Sequence, residues 1–172
     1  MKKSRLFYIV IILVVFIIIT SITLVLMIFL QKIKVNEHET VAKAVLTKTY
    51  AATLKDYENL TNALIQSSEN DDMLFDYLKK KYGKQLTDNG YTKFLSNRVA
   101  LTAAKIAYEE NSDLMVSSIE LEPKDAVSGG KRFDFTVQVQ AERDELESFT
   151  FKGSISLVQE DGHWKVEGII PR

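Results

Sequence analysis

The sequence contains no cysteine, so disulfide bonds are impossible and a lipoprotein anchor, which is built on a cysteine, is excluded. Its only histidines, His38 and His163, lack the H-x-x-x-H or H-E-x-x-H spacing of metal ligands, and we expect both in solvent. There is also no nucleophile motif, phosphate-binding glycine loop or dinucleotide fingerprint. The sequence therefore predicts no catalytic residue, no cofactor and no metal.

Residues 6–30 lack charged residues, proline and glycine: LFYIVIILVVFIIITSITLVLMIFL. As a helix this run would reach about 37 Å, which exceeds the roughly 30 Å hydrocarbon core of a bilayer. A cleaved signal peptide has a shorter apolar region, of about 7–15 residues, and a small-residue cleavage site, which is missing here. We therefore predict one uncleaved transmembrane helix at 6–30, between a tail at 1–5 and a juxtamembrane helical linker at 31–40.

The orientation of this helix follows from its flanks. Lys2, Lys3 and Arg5 precede the run without any acidic residue. Four lysines follow it, so the count of basic residues barely favours either side: Lys32, Lys34, Lys43 and Lys48. A long C-terminal domain is translocated largely regardless of its charge. We predict a cytoplasmic N-terminus and an extracytoplasmic domain at 41–172.

Acidic residues are confined to the part of the chain after the apolar run. From Val35 onward there are 17 basic and 23 acidic residues, a net charge of −6. This balance argues against a nucleic-acid partner and against a face lying on anionic lipid. The basic cluster of Lys79, Lys80, Lys81 and Lys84 is typical of the C-terminal end of a helix that stops at Gly83.

Helical periodicity covers the first half of the domain. We predict one helix over 37–66, a second from Asp71 or Asp72 to Gly83, a turn at Asn89-Gly90, and a short helix near 91–97 with an uncertain continuation to Tyr108.

From Asp113 the periodicity changes to the two-residue alternation of strands. Four strands are predicted: 114–121, 132–140, 148–159 and a last one after Asp161-Gly162. Their inward residues include Phe133, Phe135, Val137, Val139, Phe149, Phe151, Gly153, Ile155, Leu157, Trp164, Val166, Gly168 and Ile170. Gly153 within its strand suggests a bulge or bend. The fold class is therefore α+β, with helices packed on a curved antiparallel sheet of four or more strands.

The order of helices and then hairpin strands, the segment LTDNGY at 86–91 and the closing GHWKV at 162–166 resemble the nuclear transport factor 2-like superfamily. The resemblance covers about 37–172 and implies a cone-shaped α+β domain. A short tail, one membrane helix and one such domain outside also resemble the assembly-factor subunits of bacterial type IV secretion and conjugation channels. This layout implies a single-pass protein of a bacterial cell membrane, a homo-oligomer that contacts other envelope or channel subunits.

The polar side of the predicted sheet is the candidate interface. It is uncharged apart from Lys152 and the strand ends, and consists of Thr136, Gln138, Gln140, Thr150, Lys152, Ser154 and Ser156. Such a face either stays solvated, as is usual for a one-sided antiparallel sheet, or packs against a second copy. The two alternatives are equally supported.

Asp56 is the candidate cavity residue. On a helical wheel it falls near the middle of an apolar face with Val45, Ala52 and Leu60. A carboxyl group inside the cone would have a raised pKa and could act as a base, with Tyr57 or Tyr50 as hydrogen-bond donor. A small bend would instead send Asp56 into solvent.

Two functions are compatible with the sequence. The first is a non-enzymatic, membrane-anchored scaffold or assembly subunit of a conjugation or type IV secretion channel. The alternative is an extracytoplasmic small-ligand-binding module or enzyme that uses the cone interior around Asp56 and Tyr57.

Overall fold

The computed structural model describes residues 16, 19–23, 37–67, 72–125, 129–143 and 148–172. The chain divides into two units, Met1–Glu37 and His38–Arg172. The predicted tail at 1–5 and most of the predicted membrane helix and linker lie outside the described residues. Within the helical residues 16 and 19–23, Thr20 and Thr23 donate to the carbonyls of Phe16 and Ile19 at 3.0 and 3.1 Å. Within the described ranges, no helix has the length and hydropathy of a membrane span.

The second unit is an α+β domain, as predicted. Its helices are α1 (37–50), α2 (Leu54–Ser67), α3 (Asp72–Tyr82), a 3₁₀ turn (Gly83–Gln85), α4 (Asp88–Ser96) and α5 (Val99–Glu109). Its strands are β1 (Leu114–Lys124), β2 (Lys131–Ala141), β3 (Ser148–Glu160) and β4 (His163–Pro171). They form an antiparallel sheet in the order β1-β2-β3-β4, so the predicted four-stranded antiparallel sheet is confirmed.

The first predicted helix is wrong in one respect, because residues 51–53 interrupt it. Ala52 pairs with Leu114 at the start of β1, with N···O distances of 3.2 and 2.8 Å. Thr53 then precedes a new helix, α2. The two backbone hydrogen bonds exchanged with β1 therefore outweigh the strong helical preference of Ala51 and Ala52.

The turn predicted at Asn89-Gly90 is also wrong, since both residues lie in the first turn of α4. Thr87 is the N-cap, and its hydroxyl accepts a hydrogen bond from the Gly90 N–H at 2.8 Å. A Cβ atom at residue 90 would lie 2.5 Å from the carbonyl oxygen of Val166. Glycine is therefore needed for the close approach of α4 to β4, and not for a reversal of the chain.

Alternation along β2 is as predicted, with Phe133, Phe135, Val137 and Val139 buried. On β4 the prediction for Ile170 is wrong. The register shifts between Ser156 and Leu157 of β3, and this leaves one extra residue on β4. Such a bulge reverses the alternation beyond it, so that Ile169 is fully buried and Ile170 is 58% exposed.

The bulge suggested at Gly153 is absent, because this residue pairs in regular register with Phe135 of β2 and Pro171 of β4. A Cβ atom there would lie 2.7 Å from Cζ of the Phe135 ring. The missing side chain at residue 153 makes room for that ring.

Helix α1 lies on the inner face of the sheet. The Tyr50 ring stacks on Phe151, with ring centroids 4.6 Å apart, and also contacts Phe135. At the other end of α1, His38 stacks on Phe133 and contacts Trp164. His38 is only 7% exposed, so its expected position in solvent is wrong. Its spacing from Ala42 and Val45 places it on the buried face of the helix.

Candidate functional site

Asp56 lies in the first turn of α2, where it caps the helix. The backbone N–H and the hydroxyl of Thr53 both donate to Oδ2 of Asp56, at 2.7 and 2.9 Å. The next backbone N–H, of Leu54, donates to Oδ1 of Asp113 at 2.9 Å. Two donors at the start of the helix are thereby satisfied by carboxylates, as in a capping box.

The other oxygen of Asp56 faces α3. Its Oδ1 accepts a hydrogen bond from the Tyr77 hydroxyl at 2.9 Å and lies 3.4 Å from Nζ of Lys81. Tyr77 and Lys81 stand one turn apart on α3, so both reach the same carboxylate. Asp56 thus links the start of α2 to the C-terminal half of α3.

These contacts set the charge state of Asp56. Partial burial by itself raises the pKa of the carboxyl group, but the hydrogen bonds from Thr53 and Tyr77 and the Lys81 charge outweigh it, so the pKa is lowered. The raised pKa expected from the sequence is wrong. Burial and the neighbouring carboxylate in turn raise the pKa of Tyr77. The pair is therefore an ionised acceptor and a neutral donor, and the carboxylate is a weak base.

A cleft of about 630 Å³ opens beside this carboxylate. The described residues that line it belong to α2 and α3, and the polar ones besides Asp56, Tyr77 and Lys81 are Asn59, Asn62, Asp76 and Lys80. Asp56 consequently opens onto a cleft between two helices and not onto the inner face of the sheet.

The structure does not place Tyr57 in this cleft. Its ring stacks on Tyr108 of α5, with ring centroids 4.7 Å apart. The hydroxyl that contacts Asp56 comes from Tyr77, which was not among the residues predicted from the sequence. In the sequence, Tyr77 and Lys81 are four residues apart, a spacing that places both side chains on one face of α3. That this face packs against α2 could not be predicted from the sequence.

The seven residues of the candidate interface lie on neighbouring strands, β2 and β3, and form the outer face of the sheet. Thr136 is opposite Lys152, and Gln138 is opposite Thr150, whose hydroxyl donates to Oε1 of Gln138 at 2.8 Å. Gln140 is exposed opposite Ser148. Ser154 is only 4% exposed and Ser156 is half-buried, so these two contribute least to the accessible surface.

The outer face carries more charge than the sequence predicted. Asp134 accepts two hydrogen bonds from Arg172, at 3.0 and 3.2 Å, and lies 3.8 Å from Nζ of Lys124. Strand β1 adds Glu120 and Glu122, which are opposite Thr136 and Asp134. The predicted interface included only β2 and β3, because the sequence pattern does not show which residues of β1 lie beside them.

Over the described ranges, no three side chains of the metal-ligating types cluster closely enough to hold a metal ion. In the same ranges every buried polar side-chain atom has a hydrogen-bond partner.

Comparison with known proteins adds little to these observations. No protein-family model matches the chain, and no curated protein matches its sequence. Among solved structures, the chain is similar to a periplasmic fragment of TraM, at 13% sequence identity and a TM-score of 0.41. The match covers 80% of this chain and 96% of that one. A similarity at this level is too low to assign a fold family or a function.

Proposed function

We propose that this protein is a non-enzymatic, membrane-anchored scaffold or assembly subunit of a bacterial envelope complex, namely a conjugation or type IV secretion channel. The observation that carries the proposal is the aromatic packing of α1 against the inner face of the sheet. Tyr50 lies against Phe135 and Phe151 there, and His38 lies against Phe133 and Trp164. An enzyme of the cone-shaped class would need an open cavity in this place.

The position of Asp56 supports the same proposal. Its oxygens are already hydrogen-bonded to Thr53 and Tyr77, and the lowered pKa disfavours proton abstraction. The alternative function, a ligand-binding module or enzyme using the cone interior, required Asp56 and Tyr57 to face that interior.

The outer face of the sheet supplies the contact surface in this proposal. Its exposed polar residues stand in regular rows, and it carries acidic and basic residues side by side. Such a face is suited to a second copy of the same chain, because a two-fold axis brings each residue of one copy opposite a different residue of the other copy.

Anchoring by residues 6–30, with the domain outside the cell membrane, is supported by the length and composition of the apolar run. Membership of the nuclear transport factor 2-like superfamily is supported by the α+β order together with the four-stranded antiparallel sheet. The conjugation or secretion channel is proposed from the layout of tail, apolar run and single domain.

The absence of cysteine allows a direct test in native membranes. A single cysteine in place of Thr150 or Gln140 on the outer face should crosslink two copies of the full-length protein through a bifunctional maleimide. A cysteine in place of Thr92, exposed on α4, is the control and should not. Mass spectrometry of the crosslinked, solubilised material should also recover channel ATPases or other conjugation subunits. Recovery of monomer alone, without envelope partners, would contradict the proposal.

A further inference from the structure

An apolar groove of about 280 Å³ lies within the helical layer, where α2, α3, α4 and α5 meet. Among the described residues, six leucines and one phenylalanine line it, together with one charged residue, Arg98. Leu60, Leu78 and Phe94 are fully buried, whereas Leu64 is 37% exposed. The described residues that line the groove do not include any that line the cleft at Asp56, and they are apolar except for Arg98.

Arg98 has an unusual backbone conformation for its residue type. It joins α4 to α5 with φ +51°, in the left-handed region where glycine or asparagine is usual. Its side chain caps no helix, and among the described residues that side chain has neither a hydrogen bond nor an ion pair. An unfavourable backbone conformation for arginine thus coincides with a solvent-exposed guanidinium group that no described residue binds.

The electrostatics at this end of the groove favour an anion. Arginine is permanently charged and binds carboxylates through two parallel N–H donors. Helix α5 begins at Val99, immediately after Arg98, so the positive end of its dipole lies next to the same residue. An apolar groove with one convergent polar group is the usual form of a small-molecule site.

The size of the groove limits what can fill it. An apolar protein cavity of about 150 Å³ holds one benzene molecule, so a groove roughly twice as large has room for an apolar group of about ten carbons. A partner helix would need anchors over several turns of a longer groove. The volume and the single cation together fit one slender chain with one negative charge at its end.

We propose that this groove binds a medium-chain fatty-acid anion, with the acyl chain among the leucines and the carboxylate at Arg98. This site goes beyond the scaffold function and would give the protein sensitivity to free fatty acids near the membrane. It does not require that the protein belong to a conjugation channel.

The test uses the full-length protein in discs of phosphatidylcholine, with a decanoate probe that carries a diazirine near the end of its chain. Irradiation should label residues of the groove, identified by mass spectrometry. Arg98→Glu should reduce this labelling about tenfold, the size expected for loss of a charge-assisted hydrogen bond. The control is Lys105→Glu, the same charge change on the exposed side of α5, which should leave labelling unchanged.

A second variant covers the case in which Arg98→Glu fails to fold. Leu64→Trp fills the groove from its exposed side and should abolish labelling while circular dichroism remains that of the wild type. A decanol probe with the same diazirine has no carboxylate to bind Arg98. It should therefore label wild type and Arg98→Glu to the same, low extent. Labelling outside the groove, or equal decanoate labelling of the wild type and the folded variants, would overturn the proposal.

Discussion

The two faces of the sheet are built from the same strands and differ in almost every other respect. On β2, the inward residues Phe133, Phe135, Val137 and Val139 are buried against helices and neighbouring strands. The outward residues of the same strand make polar contacts beyond it, since Gln138 accepts a hydrogen bond from Thr150 of β3 and Asp134 accepts two from Arg172. Folding free energy is therefore concentrated on one face, and the other is free to change with little effect on the fold. Substitutions should separate folding from association accordingly.

The largest effect is expected from the inner face. Phe135→Ala removes a buried ring that contacts Tyr50, and should lower the free energy of unfolding by about 3–5 kcal/mol. Urea unfolding of the full-length protein, followed by the fluorescence of its single tryptophan, Trp164, measures this. The neighbouring outward substitution Thr136→Ala is the control. Equal losses in the two variants would show that the faces do not differ as described.

A smaller effect is expected where a side chain is added to the inner face. In Gly153→Ala the new methyl group would collide with the Phe135 ring and with the carbonyl oxygen of Ile170, and we expect a loss of about 1–3 kcal/mol. Gly168→Ala on β4 is the matched control. Its methyl group would meet mainly Cδ of Lys93, at 3.1 Å, and that flexible side chain can move. The same urea experiment should therefore show a clearly smaller loss for Gly168→Ala, and the reverse order would contradict this packing.

Asp56→Asn tests the helical side, away from both faces of the sheet. It removes the charge that caps α2 and pairs with Lys81, and should cost about 1–3 kcal/mol at pH 7. Asp76→Asn is the control, because Asp76 lines the same cleft without a hydrogen bond or ion pair to any described residue. A null effect of Asp56→Asn would mean that the carboxylate is not structural, and the cleft would become the place to look for activity.

The difference in unfolding free energy between wild type and Asp56→Asn should depend on pH, and the direction of this dependence is defined. The folded-state pKa of Asp56 is lower than its unfolded value of about 3.9, so ionised Asp56 stabilises the fold at higher pH. The stability gap between wild type and Asp56→Asn should be constant from pH 7 to 5. It should shrink as the pH falls below about 4 and through the folded pKa. Unfolding curves at pH 7, 5, 4 and 3 measure it, and a gap that widens in acid would exclude this assignment.

The smallest effect on stability is expected on the outer face. Lys152 is exposed, so Lys152→Glu should change the free energy of unfolding by no more than about 0.5 kcal/mol. It reverses a charge in the row of Glu120, Thr136 and Lys152, and should therefore weaken self-crosslinking through a cysteine at residue 150. Unchanged crosslinking would remove Lys152 from the interface, and a large loss of stability would place it in the fold.

The sequence predicted the parts of the fold that depend on local pattern. Alternation along β2 and the end of α3 before Gly83 follow from neighbouring residues alone. The reversal between Ile169 and Ile170 depends on a bulge whose position is set by pairing with β3, and nothing within β4 indicates it.

The candidate site was less predictable, because its contacts join distant parts of the chain. The sequence places Asp56 in an apolar pattern that assumes one unbroken helix, whereas its partners Tyr77 and Lys81 come from another helix. The cap from Thr53 was a local signal, and it also marks the break between α1 and α2. Arg98 gave no signal in the sequence, since its significance lies in a backbone conformation and a groove shared by four helices.

The backbone bridges at the two outer strands bear on how the protein avoids aggregation. Ala52 pairs with the first residue of β1, and Leu86 pairs with Val166 on β4, so helical connections occupy positions where another strand would otherwise add. A bulge at Ser117 and the proline at residue 123 further disfavour pairing along β1. Many copies brought close together would thus resist growth into continuous intermolecular sheets. Assembly can then depend on side-chain recognition, which is reversible, and not on shared backbone hydrogen bonds.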